Sequence, residues 1–183
     1  MKISEPLRRY LIENEQLISN EYWYQLLMDC YVDPSLNPWI KGELVTLFYD
    51  LGIQEVFQST TFLPLIHREQ IHIPQYAELF LNNKDNWIWG NDDVVEITFD
   101  STIKTVVAND VLFGVCRNLR KIVLPKNLQK LSYPTRKCPQ NPVIEYPGTK
   151  LEFSKVEKVR FPKDVEIMCS DGSYIVGKTQ DFD

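Results

Sequence analysis

Residues 119–131 read Leu-Arg-Lys-Ile-Val-Leu-Pro-Lys-Asn-Leu-Gln-Lys-Leu, and their apolar positions, Leu119, Ile122, Leu124, Leu128 and Leu131, are spaced 3, 2, 4 and 3 apart. A helix cannot hold this order, because Pro125 removes a backbone donor and clashes in a helix interior. Ile122 and Leu124 instead alternate as on a short strand, with Lys121 and Val123 on the opposite face. The same spacing recurs at Val94, Ile97, Phe99, Ile103 and Val106, and again at Val156, Val159, Phe161, Val165 and Met168, where Pro162 answers Pro125. Weaker copies are Ile71-His72-Ile73-Pro74 and Ile144-Glu145-Tyr146-Pro147. Such recurrence predicts a solenoid: each unit is too small to bury its own apolar edge, so neighbours stack and share one core. In that stack Ile97, Ile122 and Val159 are expected on neighbouring rungs, pointing inward.

The phrase resembles the leucine-rich repeats of the BspA-like family, whose unit runs Phe-x-x-Cys-x-x-Leu-x-x-Ile-x-Leu-Pro-x-x-Leu-x-x-Ile. Phe113-Gly114-Val115-Cys116-Arg117-Asn118-Leu119 supplies the opening and Ile122-Val123-Leu124-Pro125 the strand. Tyr146-Pro147-Gly148-Thr149 and Cys169-Ser170-Asp171-Gly172 resemble the family's finish. The likeness spans roughly residues 60–178 and is closest over 110–175. It departs from the pattern in two places: the 94–106 copy has Asp100 where the proline stands, and residues 132–142 form a proline-rich detour at which stacking can break. The resemblance implies a binding scaffold with no shared catalytic residues.

Ahead of the repeats, three short apolar helices are expected. Ser4, Asn20 and Asn37 are the candidate caps, with Pro6 and Pro38 in first turns and Gly52 as the last stop. The third carries Trp39, Ile40, Leu44, Leu47, Phe48 and Leu51. Glu43–Ile53 also resembles the lead-in of short phage-encoded proteins with this repeat type. An end repeat otherwise leaves its core open to water, so the helices read as a cap. The fold expected is α+β: a helical cap over 1–60, a short irregular leucine-rich-repeat-like β solenoid over 61–178 and a tail at 179–183.

Residues 1–90 hold 12 acidic and 6 basic side chains, whereas 117–163 hold 12 basic and 3 acidic ones. Lys121, Lys126, Lys130, Lys158, Arg160 and Lys163 recur at matching places in the phrase and are expected to cluster. Such a patch reads either as a solvated face or as a contact for phosphates or an acidic protein. The acidic remainder argues against a general nucleic-acid binder. Lys2, Arg8 and Arg9 precede no apolar run of signal-peptide length, and no stretch reaches the length of a membrane span, so a cytoplasmic chain without a membrane partner is expected.

The four cysteines form no Cys-x-x-Cys pair, which argues against a thiolate zinc site. His67 and His72 are the only histidines, and neither sits in a recognisable nucleophile motif. Asp92, Asp93 and Asp100 read as turn residues or, less simply, as ligands for a hard cation. No catalytic set, metal or cofactor is therefore expected. Trp87-Ile88-Trp89 is a candidate aromatic anchor for a partner or a filler of the core.

Outward parity on the strands selects Glu96, Thr98, Lys121, Val123, Glu145, Lys158 and Arg160 as the expected contact face, with Lys126, Lys130 and Lys163 as a secondary basic patch. The function this supports is a non-catalytic protein-binding module. The phage-type resemblance implies an inhibitor of a bacterial host factor or defence nuclease, in the manner of an anti-CRISPR protein. The alternative is a nucleic-acid or ribonucleoprotein binder acting through residues 117–163.

Overall fold

The computed structural model describes residues 32–53, 65–78, 91–107, 116–135 and 138–179, with a few single positions elsewhere. The first two expected helices, Trp87, Trp89 and the last four residues lie outside the described residues. The chain divides into compact units of residues 1–68 and 69–183.

In the first unit, α1 spans Pro38–Asp50. Asn37 caps it, its side-chain oxygen accepting from the Ile40 N–H at 3.0 Å, and Pro38 occupies the first turn, where no backbone donor is needed. Gly52, at φ 73°, lets the chain leave in the left-handed conformation. Val45, Leu47 and Phe48 are buried. Thr46 Oγ1 accepts from the His67 N–H at 2.8 Å, and the His67 ring stacks on Trp39 with centroids 4.9 Å apart. Arg68 forms a two-pronged ion pair with Asp50. His67 is thus held by packing against α1, and a β-carbon at Gly42 would stand within 2.1 Å of its ring.

The second unit is a β-solenoid of about three turns. Its strands are β1 (Gln70–Ile73), β2 (Glu96–Phe99), β3 (Thr105–Val106), β4 (Lys121–Val123), β5 (Lys130–Ser132), β6 (Val143–Tyr146), β7 (Glu157–Val159), β8 (Glu166–Cys169) and β9 (Gly172–Ile175). They form a six-stranded sheet ordered β1-β2-β4-β6-β8-β9 and a three-stranded sheet ordered β3-β5-β7. All neighbours are parallel except the closing β8–β9 hairpin.

Parallel register stacks like on like. Ile71 faces Ile97, Ile97 faces Ile122, and Ile122 faces Ile144, so successive rungs lie 26, 25 and 22 residues apart. With Ile167 these isoleucines are at most 3% exposed. Val106 and Leu131 make the matching inward row of the second sheet, and both are fully buried. Side-chain bonds tie the coils together where the backbone turns. Glu78 accepts from the N–H groups of Lys104 and Thr105 at 2.8 and 2.7 Å, and Asn118 donates to the Asp92 carbonyl at 2.6 Å. Every buried side-chain nitrogen or oxygen among the described residues has a hydrogen-bond partner.

One expected rung is corrected. Val159 does not stand beside Ile122; it lies on β7 of the other sheet, opposite Ser132. The neighbour of Ile122 is Ile144, from a copy of the phrase with poorer spacing. The Val156–Met168 spacing straddles two strands, β7 and β8, of different sheets. Spacing alone does not say which strand of a coil a proline phrase occupies, and the place where the chain turns back decides it. That turn is made by α2 (Lys150–Ser154). Stacking also continues past residues 132–142, since β4 pairs with β6 and β5 with β7 on either side of the detour.

At only five residues, α2 depends on its cap. Thr149 Oγ1 accepts from the Glu152 N–H at 3.2 Å, and the Glu152 carboxylate accepts from the Thr149 N–H at 2.7 Å. This reciprocal pair satisfies two otherwise orphan donors. Its hydrogen bond from the Thr149 backbone holds the Glu152 carboxyl below the usual carboxylate range. Thr149→Ala is expected to lower stability by about 1 kcal/mol and Thr149→Ser by much less, measured by urea unfolding. An alanine variant as stable as the parent would show that the cap contributes nothing to this turn.

Candidate protein-binding face

Because strand side chains alternate, the residues flanking the isoleucine ladder point away from the core. Register sets Gln70, Glu96, Lys121 and Val143 in one row, and His72, Thr98, Val123, Glu145 and Met168 in the next. Polar groups in these rows bond across strands. Gln70 donates to Glu96 at 3.4 Å, and His72 Nδ1 lies 2.9 Å from Thr98 Oγ1. Lys121 Nζ sits 2.9 Å from Glu145 and 3.8 Å from Glu96. The Glu145 hydrogen bond, helped by the charges of Glu145 and Glu96, holds the Lys121 ammonium above its ordinary pKa.

Five of the seven expected face residues therefore share one surface: Glu96, Thr98, Lys121, Val123 and Glu145. Lys158 and Arg160 do not belong to it. Lys158 pairs in register with buried Leu131, so it takes an inward position on β7. Its Nζ donates to the carbonyls of Phe153, Ser154 and Val156 at 2.8, 3.2 and 2.7 Å and lies over the Phe153 and Tyr174 rings. Burial lowers its pKa. A long apolar stem with a cationic tip suits this end of the stack, where it covers rings and meets the last carbonyls of α2. Arg160 follows β7 in an exposed left-handed turn at φ 53°.

The secondary basic patch does not assemble on that face either. Lys130 lies in the three-stranded sheet, 2.9 Å from Glu157, and Lys126 and Lys163 are exposed in turns outside the strands. The charge excess in sequence is thus shared between two sheets and the turns. Against the acidic carboxylates that flank Lys121 and Lys130, it builds no continuous positive surface among the described residues.

Comparison of the chain with protein-family models, curated proteins and solved structures finds no match.

The acids weighed as cation ligands are occupied locally. Asp100 accepts from the Thr102 hydroxyl and N–H, and these bonds hold its carboxyl below the usual range. Asp92 sits 3.8 Å from Arg117. Among the described residues no group of three His, Cys, Asp or Glu side chains is arranged to hold a metal ion. Nor is any helix among them long and apolar enough to cross a membrane.

Two surface residues escaped the sequence reading, Glu166 and Met168. The 3-2-4-3 spacing puts Met168 inside, whereas β8 turns it outward, 41% exposed, beside Glu145. The usable signal was the alternation Val165-Glu166-Ile167-Met168-Cys169 around a buried isoleucine. Beside them the sheet opens. β6 and β8 are paired only at Glu145–Met168 and Tyr146–Cys169, and a groove of about 350 Å³ runs between their N-terminal ends and the 133–142 detour.

Proposed function

We propose that the outward face of the six-stranded sheet is the contact surface of a non-catalytic protein-binding module. The observation that carries this is the cross-strand row Gln70–Glu96–Lys121, tied through Lys121 to Glu145 of the neighbouring row, which holds alternating donors and carboxylates in place on a rigid stacked backbone. Preorganised polar groups bind with less ordering cost than free surface side chains. They lie beside exposed Val143 and Met168, so polar register and apolar contact are available on one surface. The His72–Thr98 contact serves here as one more cross-strand link on an open surface.

The resemblance to BspA-like repeats, and to phage-encoded proteins that carry them, supports a finer reading. In it the module acts in the bacterial cytoplasm and inhibits a host factor such as a defence nuclease. The test places a photo-crosslinking amino acid at Thr98 or Val123, with Gln129 on the far side of the coil as control, in a bacterial lysate. One protein adduct is expected from the two face positions and none from the control. Lys121→Glu, which sets a third carboxylate between Glu96 and Glu145, is expected to remove it. Equal labelling from all three positions would rule the face out.

A further inference from the structure

We propose that the groove between the N-terminal ends of β6 and β8 receives an arginine side chain of the partner protein. The inference rests on the reading of this sheet face as a protein contact surface, and it names what the partner brings.

The groove arises from the spacing of the repeat. β4 and β6 share three paired positions, but β6 and β8 share two, so Val143 pairs with β4 and not with β8. Tyr133, Thr135, Asn141 and Pro142 line the groove beside these strand ends. Asn141 and Asp164, both lining residues, turn the chain at positive φ, 45° and 64°, a conformation that Asn and Asp tolerate better than most residues. The volume of about 350 Å³ falls within the ~300–1,000 Å³ of ligand pockets.

Its lining gives the chemistry. Val143 and Met168, two of the five exposed large apolar side chains among the described residues, form apolar walls. Asp164 and Glu166 are its acidic lining residues, and no basic residue lines it. Asp164 is 3.4 Å from Lys178, but both partners are largely exposed, and such pairs are weak and screened by salt. Glu166 forms no ion pair among the described residues. A groove that combines apolar residues (Pro142, Val143, Ile144, Val165 and Met168) with two carboxylates fits a ligand with an apolar stem and a cationic tip. Arginine fits better than lysine: its planar fork can engage a carboxylate through two hydrogen bonds, and it sheds water more readily against apolar walls.

The full chain carries three methionines, so [methyl-¹³C]methionine labelling places a reporter on the groove wall at Met168, identified by its loss in Met168→Leu. The probes are acetylated, amidated pentapeptides with arginine, lysine or citrulline at the centre and valine on both sides. The arginine peptide is expected to move the Met168 methyl signal saturably, with the lysine peptide weaker. The neutral citrulline isostere and the Glu166→Gln protein should each weaken binding by about tenfold. Citrulline binding as tightly as arginine, lysine binding more tightly, or Glu166→Gln without effect would each overturn the proposal. So would a Met168 signal that never moves. If crosslinking from Thr98 and Val123 persists while the peptide titration fails, only the groove is lost. If the titration succeeds while crosslinking fails, the groove stands and the wider face does not.

Discussion

Ile122→Ala is expected to lower the free energy of unfolding by about 3–4 kcal/mol, and Ile122→Val by about 1 kcal/mol. Ile122 is fully buried and stands between Ile97 and Ile144, so truncation removes methyl groups from two rung interfaces at once. The surrounding backbone cannot collapse into the space, because its strands are held in register on both sides. A stack of repeats is stabilised through nearest-neighbour interfaces, and a gap at a central rung weakens both neighbours. Urea unfolding followed by far-ultraviolet circular dichroism measures the loss as a lower midpoint at unchanged slope. A loss below about 1 kcal/mol for the alanine variant would mean that this row is not the core of the stack.

Alkaline conditions are expected to destabilise the protein through two thiols, buried Cys138 and half-buried Cys169. Burial pushes Cys138 up to about 12 and Cys169 up to about 11, from an ordinary 9.0. Cys138 also donates to the Phe113 carbonyl. Above pH 9 the unfolded chain releases protons that the folded chain retains, so the folded state binds more protons and stability falls as pH rises. The loss is on the order of 1 kcal/mol per pH unit for buried Cys138 until its folded pKa is reached, and smaller for partly exposed Cys169, where solvent screens the effect. Burial raises Tyr146 and Tyr174 as well, and these add to the loss above their ordinary 10.0. Lys121 works in the same direction, because its folded pKa lies above 10.5 and the fold loses that ammonium's stabilisation as pH passes through it.

Lys158 opposes them. Burial lowers its pKa below 10.5, so in that interval the unfolded chain binds the extra proton and stability rises with pH. One lysine does not outweigh two thiols with two phenols. A melting temperature roughly 4–8 °C lower at pH 10.5 than at pH 8 is expected for a chain of this size. Cys138→Ala should reduce that difference by about half. An undiminished difference in Cys138→Ala would show that this thiol does not carry the effect.

The reading of sequence and the fold agree where apolar side chains repeat at strand spacing with a proline or turn behind them. Ile97, Ile122 and their neighbours could be placed because a solenoid rung needs the same residue type at the same point of each coil. The reading failed at Val159 and Lys158 for one cause. A coil here has two strands, in two sheets, and the apolar phrase does not say which strand it belongs to. A shift of one residue turns a strand over, so Lys158, expected on the outside, points in. The same mistake hid Met168 and Glu166, which a one-sided pattern assigned to the interior or passed over.

Charge was the least legible quantity. Twelve basic residues within 117–163 suggested a patch, yet Lys121 and Lys130 lie in different sheets, each beside carboxylates brought from other coils. Those carboxylates are remote in the chain, and no spacing rule connects them.

By itself, the sequence determined that the chain stacks. Short apolar strands broken by proline cannot bury their own edges, and a repeat every two to three dozen residues gives each one a neighbour. Only the tertiary structure decided which phrase meets which. Strand partners are chosen by where each coil returns, and α2 with its Thr149–Glu152 cap sets that return. From the choice follow the face that gathers Glu96, Lys121 and Glu145, the inward turn of Lys158 and the groove beside Glu166.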